Sequence, residues 1–165
     1  MGVEYSDIEG AGYDVGGATL ADVVANISHL PEAGSAEWNP RYDYQADEHG
    51  VVSDVTILVG WKITMPTWTG YDSASQAAKD EWDRFWAALD AHERGHLDLV
   101  DTAMATLDQQ MIGKSVAEAQ QVWSSALTKL QQDSNAYDTA NDHGRNAGTI
   151  IDVDVDSGAS ADASE

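Results

Sequence analysis

The chain reads as an α+β protein: N-terminal strands and a short helix, with an antiparallel hairpin packed on two long antiparallel helices. Three features of the sequence point there. In VVSDVTILVGWKITM, residues Val55, Ile57, Val59, Trp61 and Ile63 share one face at a period of two. From Ser73 to about Met111 apolar residues recur at helical spacing. A second helical pattern opens at Ser115, after a link too short for anything but an antiparallel neighbour.

The elements follow in order. Residues 1–17 read as a short extended segment ending at the Gly16-Gly17 turn. Thr19 can cap a helix over 20–29, with Leu20, Val23, Val24 and Ile27 on one side, and Pro31 and Gly34 end it. From Arg41 to Ala46, Tyr42 and Tyr44 alternate with polar residues, so a strand is expected. Glu48-His49-Gly50 then turns the chain into the second strand, which Pro66 is expected to stop. Ser73-Ala74-Ser75-Gln76 has the capping-box pattern and opens the first long helix, which Gly113 closes. Ser115-Val116-Ala117-Glu118 is another such box. It opens a helix with Val116, Ala119, Trp123, Ala126, Leu127 and Leu130 in one stripe, and the pattern fades after Asp133. One domain over 1–151 is expected, followed by an acidic tail, 152–165, that is disordered beyond a short strand at Thr149–Val155.

The chain has 165 residues, with 29 acidic and 8 basic side chains, for a net charge of −21. Nucleic acid is excluded as a partner, because phosphate binding rests on Lys and Arg displacing counterions. Anionic membranes are repelled too, and no apolar run approaches the roughly 20 residues of a membrane span. Cysteine is absent, which excludes thiol chemistry and cysteine-held metal. Asp accounts for 20 of the acids and Lys for only four residues, a balance that suits high salt, where ions screen self-repulsion. A merely acidic protein of ordinary medium is the alternative, and stability followed from low to molar KCl separates the two. The start, MGVEYSDIEG, shows neither a basic nor an apolar leader region, so no signal peptide is expected.

His92-Glu93-Arg94-Gly95-His96 is an H-E-x-x-H pattern inside the best-supported helix. Residues four apart stack one turn above each other, with Cβ atoms roughly 5–6 Å apart. Two imidazoles so placed can converge on one metal at about 2.0–2.1 Å. Glu93 beside them is the candidate general base, taking a proton from an activated water. Both histidines interrupt the apolar stripe of Trp82, Phe85, Trp86, Leu89, Val100, Ala103, Leu107 and Met111, and burying imidazoles there is costly unless each is bonded. A metal meets that need; two hydrogen-bonded core histidines are the competing reading.

For a third ligand, Asp98 and Asp101 point away from the stripe at about 100° per residue. His29 ends the short helix and His49 sits in the hairpin turn. His143 is the better candidate: the gap of 143 − 96 = 47 residues suits finishing one helix, turning and returning along the next. Gly144 beside it allows the ring to turn back. Around it, Tyr137 or Arg145 could serve an oxyanion, with packing the stronger role for Tyr137, and Asp138 could orient a ligand imidazole or end the helix. Asp138 or Asp142 could instead close a structural zinc site, and Asp152-x-Asp154-x-Asp156 is a weaker calcium pattern that lacks the glycine and downstream glutamate of an EF-hand loop.

Met65-Pro66-Thr67-Trp68, Trp82-x-x-Phe85, Leu89-x-x-His92-Glu93-x-x-His96 and Tyr137-Asp138-x-x-Asn141-x-His143-Gly144 together resemble one family. It is the group of predicted secreted zinc-dependent proteases known as domain of unknown function 922, and the likeness runs over roughly residues 11–148. Asn141 stands where the family usually carries Thr. The resemblance implies a zincin-like active-site helix, Zn2+ held by His92, His96 and His143, Glu93 as base, a peptide or protein substrate, and export from the cell. A non-catalytic zinc-binding domain that is structural or recruits a partner is the alternative.

Overall fold

The computed structural model describes residues 2–160. Its fold is α+β, with a three-stranded sheet and two long helices. The order is β1 (Gly2–Val15), α1 (Leu20–Ile27), β2 (Ser35–Ala46), β3 (Val52–Trp68), α2 (Gln76–Met104), α3 (Leu107–Met111) and α4 (Val116–Ala140). Short 3-10 turns lie at Tyr71–Ser73, Arg145–Ala147 and Val153–Ser160. The sheet order is β1-β3-β2, so β3 is central.

β2 and β3 form the expected antiparallel hairpin. Its turn is built by Asp47, whose Oδ1 accepts from the N–H groups of His49 and Val51, both at 2.9 Å. β1 lies within the extended segment expected over 1–17, and it runs parallel to β3: Ser6 meets Trp61 and Val15 meets Thr69, a nearly constant offset. Pro66 does not stop β3, which continues to Trp68. Counting back from the turn, β2 is used up near Ile63, so Pro66 lies where that edge of β3 needs no ladder donor.

Contacts divide the chain into two compact units. The first holds residues up to 9, 36–62 and 94–140; the second holds 10–35, 63–93 and 141 onward. In the first, Val52, Val55, Ile57 and Val59 from β3 bury against Val100, Met104, Leu107, Met111, Ala119 and Leu130. The α3–α4 link is stapled to the start of β3: Gly113 N–H reaches Val52 O at 2.8 Å, and Val52 N–H reaches Lys114 O at 2.8 Å. The α4 capping box forms as expected, with Ser115 and Glu118 bonded reciprocally at 3.0 and 3.3 Å.

The second unit packs Val15, Leu20, Val23, Met65 and Phe85 with a row of aromatic rings. Trp68 and Trp82 lie 5.7 Å apart and Trp82 and Phe85 5.3 Å apart. Thr19 and Asp22 form a capping box at α1. Ser75, not Ser73, caps α2, accepting from Ala78 N–H at 3.2 Å, because Ser73 is taken up by the preceding 3-10 turn.

Three further expectations are corrected. The helix expected to run to Met111 leaves helical geometry at Thr106, where φ is −130°. Thr is a poor helix former, and the break delivers α3 to the link that β3 holds. The second long helix does not fade after Asp133 but continues to Ala140. Its last turns lose the apolar pattern because their inward face meets a polar partner, His96. No strand forms over 149–155: Asp152 N–H is bonded to Glu81 Oε1 at 2.7 Å, and Val153 begins a 3-10 turn. Of the expected tail, Asp156 accepts from Leu20 N–H at 2.7 Å, while residues 161–165 lie outside the described part.

Candidate metal centre

His92, Glu93 and His96 lie on consecutive turns in the middle of α2. They are 5%, 4% and 6% exposed, so three ionisable groups are enclosed on one helix face. Buried groups of this kind persist only when bonded or bound. His96 is held at both ring nitrogens from α4. Nδ1 lies 2.9 Å from Ser134 Oγ, and Nε2 lies 3.0 Å from Asp138 Oδ1. One tautomer satisfies both contacts: Ser134 O–H donates to Nδ1, and Nε2–H donates to the Asp138 carboxylate.

The polar end of α4 therefore has a reason to be helical. Ser134 and Asp138 are one turn apart on the side that faces His96, and Tyr137 adds an edge-on ring contact to His96 at 5.0 Å. The Tyr137 hydroxyl stands directly against Gly95, where any side chain would collide with it. Gly95 is thus the residue that lets Tyr137 lie on the helix. Trp38 from β2 also stacks with His96, their ring centroids 6.3 Å apart.

Glu93 meets a second close-approach glycine. A methyl group on Gly34 would stand 2.9 Å from Glu93 Oε1 and 3.1 Å from Leu89 Cγ. The backbone just before β2 therefore passes close to the carboxylate, and a side chain at Gly34 would have to displace it. Tyr13 O–H anchors this segment by donating to Ala33 O at 2.6 Å.

His92, His96 and Asp138 form a group whose ligand atoms all lie within 4.8 Å of one another. Two imidazoles and a carboxylate suit a divalent metal ion, so the donor set fits one. Asp138, weighed from the sequence as an orienting group or a shell-closing carboxylate, is the third member of this group. His143 is not in it. It is exposed and sits on a left-handed corner, with φ 48° at Asp142, 52° at His143 and 83° at Gly144. The same corner touches the site through its glycine, since a methyl group on Gly144 would lie 3.3 Å from His92 Cγ. Arg145 is exposed and bonds through its backbone to Asp142 O at 3.1 Å. Asp98 and Asp101 are exposed, as their angular position on α2 requires.

Ser134, Gly34, Gly95 and Trp38 were missed by sequence reasoning. Only Gly95 carried a signal: a glycine inside a helix costs about 1 kcal/mol, which asks for a packing reason.

Among the described residues, no helix is long and apolar enough to cross a membrane. A bacterial family described as protein of unknown function, DUF922, matches residues 11–144. No curated protein and no solved structure matches the chain.

Proposed function

The chain belongs to the DUF922 family, and from that premise we propose that it is a zinc-dependent metallopeptidase with Glu93 as general base. The observation that carries this reading is the burial of Glu93 between two histidines one turn apart, with Asp138 converging on them. We take His92, His96 and Asp138 as the ligands, because their donor atoms already converge. Three protein ligands leave a tetrahedral ion one position free, which favours catalysis over a closed structural site.

When bound, the zinc ion supplies a Lewis acid that polarises a carbonyl and makes water readily deprotonated near neutral pH. Glu93 accepts the proton on its carboxylate and returns it to the departing amine. With zinc bound, the His96 proton would sit on Nδ1 and be donated to Ser134 Oγ, leaving the Nε2 lone pair to face the ion beside Asp138. Gly34 keeps the backbone close to the Glu93 carboxylate.

Glu93→Gln is the direct test. The variant should keep its zinc and lose peptide hydrolysis; undiminished hydrolysis would refute the proposed base. Metal content of Asp138→Ala and His143→Ala decides the ligand set. Loss in the first with retention in the second supports His92, His96 and Asp138 as the three ligands. The reverse result restores His143, the ligand that the family resemblance implies.

A further inference from the structure

Three turns before His92 on the same helix lies a second buried polar centre, Glu81, at 9% exposure. Its carboxylate receives a two-pronged grip from Arg84, with Nε and one terminal nitrogen each at 2.7 Å. Arg84 has donors left over, and it directs them to the chain beyond α4. Its Nη1 donates to Gly148 O at 2.7 Å, and its Nη2 donates to Ile150 O at 2.6 Å. Glu81 completes the connection by accepting from Asp152 N–H at 2.7 Å. A single ion pair on α2 thereby holds three backbone groups of the segment 148–152.

The segment has need of such a grip. Asp142 and His143 both adopt left-handed backbone angles, which non-glycine residues keep only when their surroundings impose them. Internal bonds contribute: Thr149 N–H and Ala147 N–H both reach Gly144 O, at 3.2 and 2.8 Å. These close the loop on itself but do not fix it to the helix. The attachment to α2 follows one stripe at four-residue spacing. Arg84 binds Gly148, Ala88 lies under Gly148, and His92 lies against Gly144.

We propose that Glu81 and Arg84 are positioning residues for the metal centre. By anchoring 148–152 to α2, they press the Gly144 corner against the His92 ring and set the orientation in which that ring meets a metal. The proposal rests on the reading of His92 as a metal ligand. Guanidinium is required, because it alone presents enough donors in a plane to grip a carboxylate and two carbonyls together.

The test uses the full chain with Arg84→Met and Arg84→Lys. In the metal-free protein, Arg84→Met should move the nitrogen resonances of the His92 ring and speed amide exchange over 144–152. The His96 resonances should stay in place, because Ser134 and Asp138 hold that ring. Zinc affinity, measured by competition with a chromophoric chelator, should fall about 10–100-fold, the range for loss of a supporting partner. Arg84→Lys should recover only a part of it. Unchanged His92 resonances with a freed 144–152 segment would overturn the proposal. So would zinc affinity within twofold of the parent in Arg84→Met. If the parent chain bound no zinc, the metallopeptidase reading would fall, and the His92 resonances would still decide the positioning role.

Discussion

Helix α2 contrasts its two apolar flanks with its polar middle. At the flanks, Trp82, Phe85 and Leu89 on one side and Val100 and Met104 on the other are at most 5% exposed, and their burial is hydrophobic. In the middle, His92, Glu93 and His96 are buried to the same degree, but each needs a directed partner. The flanks tolerate any apolar side chain of suitable volume. The middle depends on single atoms: Ser134 Oγ, Asp138 Oδ1, and the absent side chains of Gly34 and Gly95. Stability should therefore reside in the flanks and function in the middle.

The largest effect expected on that contrast is at the flank. Met104→Ala empties a fully buried site and should lower unfolding free energy by about 2–5 kcal/mol in urea titration, with zinc affinity little changed. A metal defect as large as that of His96→Ala would erase the distinction.

Gly95→Ala comes next. A methyl group there meets the Tyr137 hydroxyl, and the overpacking should cost about 1–3 kcal/mol despite the better helix propensity of Ala. In a Tyr137→Ala background the sign should reverse, since only the propensity gain of about 1 kcal/mol remains. A cost that persists in that background would show that Tyr137 is not what Gly95 accommodates.

Ser134→Ala is milder. Loss of the bond to His96 Nδ1 should cost about 0.5–1.5 kcal/mol by denaturation. On the proposed reading of His96 as a zinc ligand, zinc affinity should nonetheless fall more than in Met104→Ala, because the orientation of that ring is disturbed.

The smallest effect is read as a pH dependence. The side-chain hydrogen bonds from Arg84 hold the Glu81 carboxyl below its ordinary value of 4.5, against the opposing effect of burial. A lowered folded-state pKa contributes stability that is fully present above pH 4.5 and is lost as pH falls through the folded value. Acid denaturation should therefore be less steep in Glu81→Gln than in the parent below pH 4.5. Coincident acid limbs would mean that the pair does not couple to folding.

Much of the scaffold was legible because it rests on periodicity. The hairpin, the amphipathic part of both long helices and the Ser115–Glu118 box all follow from local patterns, and so does the stacking of His92 above His96. Illegible were the features whose causes lie far along the chain. Ala136 to Ala140 has no apolar rhythm, and it is helical because Tyr137 and Asp138 find their partners on α2. Thr106 breaks a stripe that continues unbroken in the sequence, because the link after it is bonded to β3.

By itself, then, the amino-acid order determined the class of fold, the helix that bears His92-Glu93-x-x-His96, and the inward side of that helix. Spacing of 3.6 or two residues is a local property that neighbours in sequence can specify. Only the tertiary structure decided which carboxylate approaches His96, that His143 stands on an exposed corner, and that Arg84 ties residues 148–152 to α2. Those are meetings of single atoms from distant segments. Their distances are set by how the helices and loops come to rest, which no local pattern encodes.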